Sequence, residues 1–279
     1  MVLESLLSPP GAIRRPGVVF LMGFFYATIA VFLSMWVFKD YASMVLVFLT
    51  VLALVPLFMQ FMDSEELADL LMNDERKVLW QHAKVIGTFV SLFLGMSLAY
   101  AIWFVALPNG IATFSVQSQT IASLRQGATG AAASGGLFLV ILVNNLKVLM
   151  FCILFSFLYG AGAIFILTWN SSVIGVALGN FYQQGVGAAA SSGATGFATY
   201  AGAAGMSAVR YLIHGIPEIT AYFVGGLAGG VLSVAIIKHH WERTKMDKVL
   251  LDTSDLIILG VVILVIAAVI ETWITPMLV

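Results

Sequence analysis

The chain of 279 residues is 61% hydrophobic and only 10% charged, with a mean hydropathy of +1.01, against roughly 25% charged residues in soluble domains. A formal net charge of −1 without a dense Lys/Arg cluster excludes a nucleic-acid partner, and the single cysteine, Cys152, excludes an internal disulfide and a cysteine-based metal centre. The composition is that of an all-α, polytopic transmembrane helical bundle.

A bilayer core about 30 Å thick takes about twenty apolar residues per helix, and the chain divides on that length. Residues 17–37 and 42–61 form an N-terminal helix hairpin joined by Lys39-Asp40-Tyr41. The first run follows Pro9, Pro10, Arg14, Arg15 and Pro16 with no small-residue cleavage site after it, so it reads as a permanent anchor. Residues 63–84, DSEELADLLMNDERKVLWQHAK, set Leu67, Leu70, Leu71, Val78 and Leu79 at helical spacing among charges. With Ser64 as N-cap and Glu65 and Glu66 in the first turn, the segment predicts a cytoplasmic amphipathic helix on the membrane surface or under the bundle.

A third span at 85–107 closes at Pro108-Asn109-Gly110, a turn signal. Residues 108–145, with GATGAAASGG at 127–136, and residues 182–207 are rich in Gly, Ala, Ser and Thr. Such segments bury little side-chain area, so they order only by packing on each other or on a partner, and otherwise form loops. The apolar stretch between them is too long for one span and divides at Gly160-Ala161-Gly162 into spans at about 145–160 and 163–181. Asn170, Ser171 and Ser172 at depth admit a broken or re-entrant second member. A sixth span at 213–237, the charged loop KHHWERTKMDK and a last span at 254–275 complete the chain.

With the N-terminus cytoplasmic, nine of the 13 Lys and Arg residues fall inside and four, Lys39, Arg125, Lys147 and Arg210, outside. That balance favours seven spans in the plasma membrane with an external C-terminus, over six spans plus a re-entrant segment.

Polar residues inside spans are the candidate functional residues, because each is costly in hydrocarbon unless paired. His214 and Glu218 are four apart on one helix face, with Arg210 one turn earlier and Tyr222 continuing the stripe. Pro217 suits the first turn of a new helix, so residues 213–216 are expected to break the span, with His214 capping a helix start. Against this structural role stand a ligand or proton site and a metal site. Metal needs a third ligand, for which Asn144, Asn145, Asn170 and Glu271 are poor or distant, and His239-His240 falls on the other membrane side. Neither a metal nor another cofactor is expected. Asn144 and Asn145 open the fourth span as caps or interhelical bonding groups, and Lys147 extends outward. HEXXH, Walker and GxSxG patterns are absent from the sequence. Gly225, Gly226, Gly229 and Gly230 form one small-residue seam and Gly175 and Gly179 another, for packing within the chain or between copies in a homo-oligomer.

The order NNLKV at 144–148, a Gly-turn hairpin, Asn170-Ser171 followed by Gly175 and Gly179, and HGIPE ahead of a Gly-rich span resembles the stage II sporulation protein M family of multispanning membrane proteins. The resemblance covers about residues 140–237, and the family reaches beyond sporulating bacteria into archaea. Its usual Asn-Gly is Asn170-Ser171 here. The family's namesake anchors two peptidoglycan-degrading partners during engulfment, so the resemblance implies an integral membrane scaffold or assembly protein without catalysis. Its expected partners are membrane lipids and other membrane or envelope proteins. Two alternatives stand beside it: a channel or transporter using His214, Glu218 and Arg210 near Asn170 and Pro217, and an intramembrane metal-dependent enzyme.

Overall fold

Hydrocarbon offers the backbone no hydrogen-bond partners, so long apolar runs close into helices that satisfy their own N–H and C=O groups. The structure, a computed structural model, describes residues 9–71, 75–133, 136–159, 162–191, 193, 196–239 and 243–278. Among them there is no strand. The helices are α1 (Pro9–Arg14), α2 (Pro16–Val37), α3 (Ala42–Leu71), α4 (Glu75–Ala106), α5 (Gly110–Thr113), α6 (Ser115–Ala133), α7 (Leu137–Tyr159), α8 (Ala163–Ser191), α9 (Phe197–His239), α10 (Arg243–Val269) and α11 (Thr275–Leu278). A 3-10 turn at Lys39–Tyr41 joins α2 to α3, and a π-helical turn at Ile270–Ile274 joins α10 to α11. Seven of these helical segments are long and apolar enough to cross a membrane, and the protein is a multi-pass helical bundle.

Side-chain contacts fix the direction of each span. Pro16 meets Ser91 and Thr28 meets Trp103, so α2 and α4 run parallel. Ser97 meets Ser171, and Gly179 lies against Phe104, which makes α8 parallel to α4. Thr50 with Tyr100 and Glu65 with His82 set α3 antiparallel to α4. Asn145 meets Glu218 while Gly229 lies against Ile153, so α7 and α9 are parallel. These relations are those of seven spans that alternate in direction, and α8 is one unbroken helix rather than re-entrant.

Several local expectations change. Residues 63–84 are not a separate surface helix: 63–71 continue α3 and 75–84 open α4. No helix breaker stands between Met62 and Asp63, so α3 runs on, and Ser64 is interior to a helix rather than its cap. Glu65, expected in the first turn of that helix, lies within α3 and is fully buried. Pro217 does not break the sixth span. It sits inside α9, where it removes the N–H that would bond the Ile213 carbonyl, while packing on both sides keeps the helix continuous.

The small-residue segments are mostly helical where described. Residues 115–133 form α6, which buries Gln117 and Ile121, while the segment at 182–207 extends α8 to Ser191 and begins α9 at Phe197. At 43 residues α9 is about 65 Å long, twice the hydrocarbon thickness. Residues 160 and 161 of the expected Gly turn lie outside the described residues; Gly162 is a turn residue ahead of α8.

Candidate functional site

Three helices bring polar side chains together near one end of the bundle. Asn145 on α7 is buried, and its Nδ2 donates to Glu218 Oε1 on α9 at 2.6 Å. One turn along α9 the Tyr222 hydroxyl donates to Asn145 Oδ1 at 3.0 Å. Both ends of one amide are thereby used, so its orientation is fixed by its two partners. Glu271 lies in the π-helical turn that follows α10.

The π turn places the third helix. Its i→i+5 bond runs from the Thr275 N–H to the Ile270 carbonyl, and one extra residue in a turn rotates all following side chains by about 100°. Thr275, just beyond it, brings its hydroxyl 3.3 Å from His214 Nδ1. The same hydroxyl donates to the Ile270 carbonyl at 3.2 Å, so with Nδ1 protonated His214 is the donor to the Thr275 oxygen. His214 and Glu218 thus both bond across helices, His214 to the last one and Glu218 to α7.

The remaining candidates lie elsewhere. The Arg210 guanidinium carbon stands 4.9 Å from the ring centre of Phe181 on α8, a cation–π placement. Asn170 Nδ2 bonds back to the Ile166 carbonyl within its own helix, and Asn144 is exposed. Glu271 was set aside on sequence as a distant metal ligand, and Thr275 carried no signal at all. What joins Thr275 to His214 is a helix crossing and a π turn, and neither is written in local spacing. Among the described residues no three His, Cys, Asp or Glu side chains gather as a metal would need.

The glycine seams face the chain's own helices. A Cβ on Gly225 would strike Leu149, one on Gly229 the Ile153 carbonyl, and one on Gly226 would come 2.8 Å from Ala163. A Cβ on Gly175 would come within 2.6 Å of Tyr100 and one on Gly179 within 2.7 Å of Phe104. Gly230 is buried in the same face of α9. Backbones approach this closely only where side chains are missing.

Two other features were not visible in the sequence. Glu65 Oε2 and His82 Nδ1 lie 2.8 Å apart in a buried pair between α3 and α4, with Gln81 Nε2 on the other carboxylate oxygen. A groove of about 690 Å³ opens where α4, α5, α6 and α8 meet, lined by Asn109, Ser115, Ser118, Gln119 and Gln183 among apolar groups.

Fold and site together define a multi-pass helical membrane protein whose interior polar groups bond one span to another. The model of the family described as stage II sporulation protein M matches residues 88–276, and the chain belongs to that family. The match runs from within α4 through the last span, well beyond the stretch of 140–237 that carries the motifs, and leaves α1, α2 and α3 outside it. No curated protein and no solved structure matches the chain.

Proposed function

We propose that the protein is an integral membrane scaffold or assembly protein of the plasma membrane, without catalytic activity of its own. Its N-terminus is cytoplasmic and its C-terminus external, in keeping with the nine-to-four division of Lys and Arg. The observation that carries the reading is the use made of polar side chains within the spans. Asn145 with Glu218 and Tyr222, Ser97 with Ser171, Thr50 with Tyr100, and Gln117 with Ser172 all bond helix to helix. A bundle fastened in this way is a rigid frame, and rigidity serves to hold partners in register. Those partners are other membrane or envelope proteins, met at the helical surface that α6 and the long ends of α8 and α9 build beyond the spans.

The test uses the full chain in its native membrane with a photo-crosslinking residue at Ile111 or Phe197, both strongly exposed, and at lipid-facing Phe25 as control. A discrete protein adduct from positions 111 or 197 and none from position 25 supports the assembly role. Ion or solute flux through the purified protein in liposomes, abolished by Glu218→Gln, overturns it in favour of transport.

A further inference from the structure

The two sides of α7 are put to unlike use. Asn145, Leu149, Cys152 and Ser156 are buried on the side that packs within the bundle, with Asn145 and Leu149 on α9. The opposite side, within about 60° of Lys147 for a helix of 3.6 residues per turn, carries Val140, Val143, Met150, Phe151, Leu154 and Leu158, all exposed. Asn144 and Lys147 stand exposed among them, and α7 is the least buried of the seven spans. An apolar face of this kind ordinarily meets lipid. Lys147 and Asn144 do not fit that solvent: neither has a hydrogen bond or ion pair among the described residues, and a lysine in hydrocarbon is costly unless paired.

Extension along the helix does not bring Lys147 to water. It stands about 15 Å from Leu137 and about 18 Å from Tyr159, the two ends of α7, and its four-carbon stem covers neither distance. Moving the membrane boundary does not help. With Asn144 at the surface, the helix left below it would be only about 22 Å long, short of a hydrocarbon core of about 30 Å. Leu139, Val140 and Val143, 62%, 46% and 47% exposed, would then stand in water. Either placement leaves part of this face in the wrong solvent unless something covers it.

The pattern of the face describes its cover. Exposed positions 140, 143, 144, 147, 150, 151, 154 and 158 follow the three- and four-residue steps of a coiled-coil seam, on which a second helix lies lengthwise. At Lys147 that helix must offer an acceptor, and at low dielectric a carboxylate both accepts the bond and neutralises the charge. A second copy of the chain does not supply one at this level. Of the exposed acidic residues among those described, Asp40, Asp63 and Asp247 stand at the ends of spans. A Cβ on Gly260 would meet Leu149 at 3.6 Å, which sets Asp255 about 10 Å to the other side of Leu149 from Lys147 along α7, while the side chains of α7 lean toward its N-terminal end. We propose that the open face of α7 docks one transmembrane helix of another membrane protein, with an Asp or Glu level with Lys147 and apolar residues around it. Asn144, one turn nearer the N-terminal end, adds a second polar contact that fixes the register. The inference rests on the assembly role and gives its partner a chemical description.

The probe is a synthetic transmembrane peptide of leucine and alanine with one central Glu, reconstituted with the full-length protein in phosphatidylcholine vesicles, and the same peptide with Gln is the control. Energy transfer from a donor at Leu139→Cys, in a Cys152→Ser background, should show the Glu peptide associating at least ten-fold more tightly than the Gln peptide. Lys147→Met should abolish that preference, Lys147→Arg should keep it, and Lys147→Glu should turn it toward a peptide with a central Lys. Equal association of the two peptides, or a preference that persists in Lys147→Met, overturns the proposal. In the native membrane, a photo-crosslinking residue at Phe151 should give a discrete protein adduct that is lost in Lys147→Met and whose crosslinked segment, read by mass spectrometry, carries an Asp or Glu. A dimer of this chain, or adducts with lipid alone, overturns it. Adducts from positions 111 or 197 that form while these tests fail strike the docking face and leave the assembly role standing.

Discussion

Asn145 on α7 holds Glu218 and Tyr222 of α9 with the two ends of one side-chain amide, at 2.6 and 3.0 Å. The parallel pairing of these helices continues below it through Leu149 against Gly225 and Ile153 against Gly229. The polar contact sets the rotation of α7 about α9, and the glycine seam sets their distance.

Replacing Asn145 by leucine keeps the volume and removes both bonds, leaving Glu218 and Tyr222 short of partners. Interhelical bonds in membranes average about 0.6 kcal/mol each, and stranding a buried polar group adds about 1–3 kcal/mol. The expected loss is about 2 kcal/mol, seen as a lower Tm in detergent. Asn144→Leu, one residue away on an exposed face, should leave Tm nearly unchanged.

The seam makes an opposite pair of predictions from one substitution. Gly229→Ala drives a methyl into the Ile153 carbonyl, and overpacking of this kind costs about 1–3 kcal/mol. Gly202→Ala, in the same helix but with open space around the added Cβ, should gain about 0.5–1 kcal/mol from helix propensity. Thermal unfolding of the two variants should therefore shift in opposite directions.

These contacts also mark how far the sequence could be read. Seven spans are legible because each is an apolar run of sufficient length, and hydrocarbon leaves such a run little choice but helix. The paths of α8 past Phe181 and of α9 before His214 are not, because Gly, Ala and Ser segments carry no hydrophobic period to distinguish helix from loop. Pro217 misleads for a related reason: its local preference for a helix start is overridden by the packing of Ile219, Tyr222 and Phe223 below it. The bond of His214 with Thr275 spans 61 positions and needs a π turn, so nothing in the neighbourhood of either residue announces it. HGIPE itself was legible as a polar face, but its partners were not.

The buried pair of Glu65 and His82 fastens α3 to α4 at the far end of the bundle, with side chains 0% and 3% exposed. Removing one member of a buried pair strands the other, at about 3–5 kcal/mol, whereas an apolar pair of similar volume is often neutral. His82→Leu alone should therefore lower Tm sharply, and Glu65→Leu with His82→Leu should recover most of the loss. A double variant no better than the single one would show that the two side chains are not coupled.

Alternating direction makes a parity prediction about three exposed positions, Asp40, Asp247 and Met277. Five spans lie between positions 40 and 247, and one between 247 and 277. An odd number of crossings puts Asp247 opposite both others, and the even total puts Asp40 and Met277 on the same face. Single cysteines at these sites, in a Cys152→Ser background, report the faces through a membrane-impermeant maleimide on intact cells. Labelling at 40 and 277 without permeabilisation, and at 247 only after it, is the expected pattern for a cytoplasmic N-terminus. The reverse pattern keeps the seven spans and inverts the orientation. Unequal labelling of 40 and 277 breaks the parity itself, and with it the assignment of all seven helices as crossings.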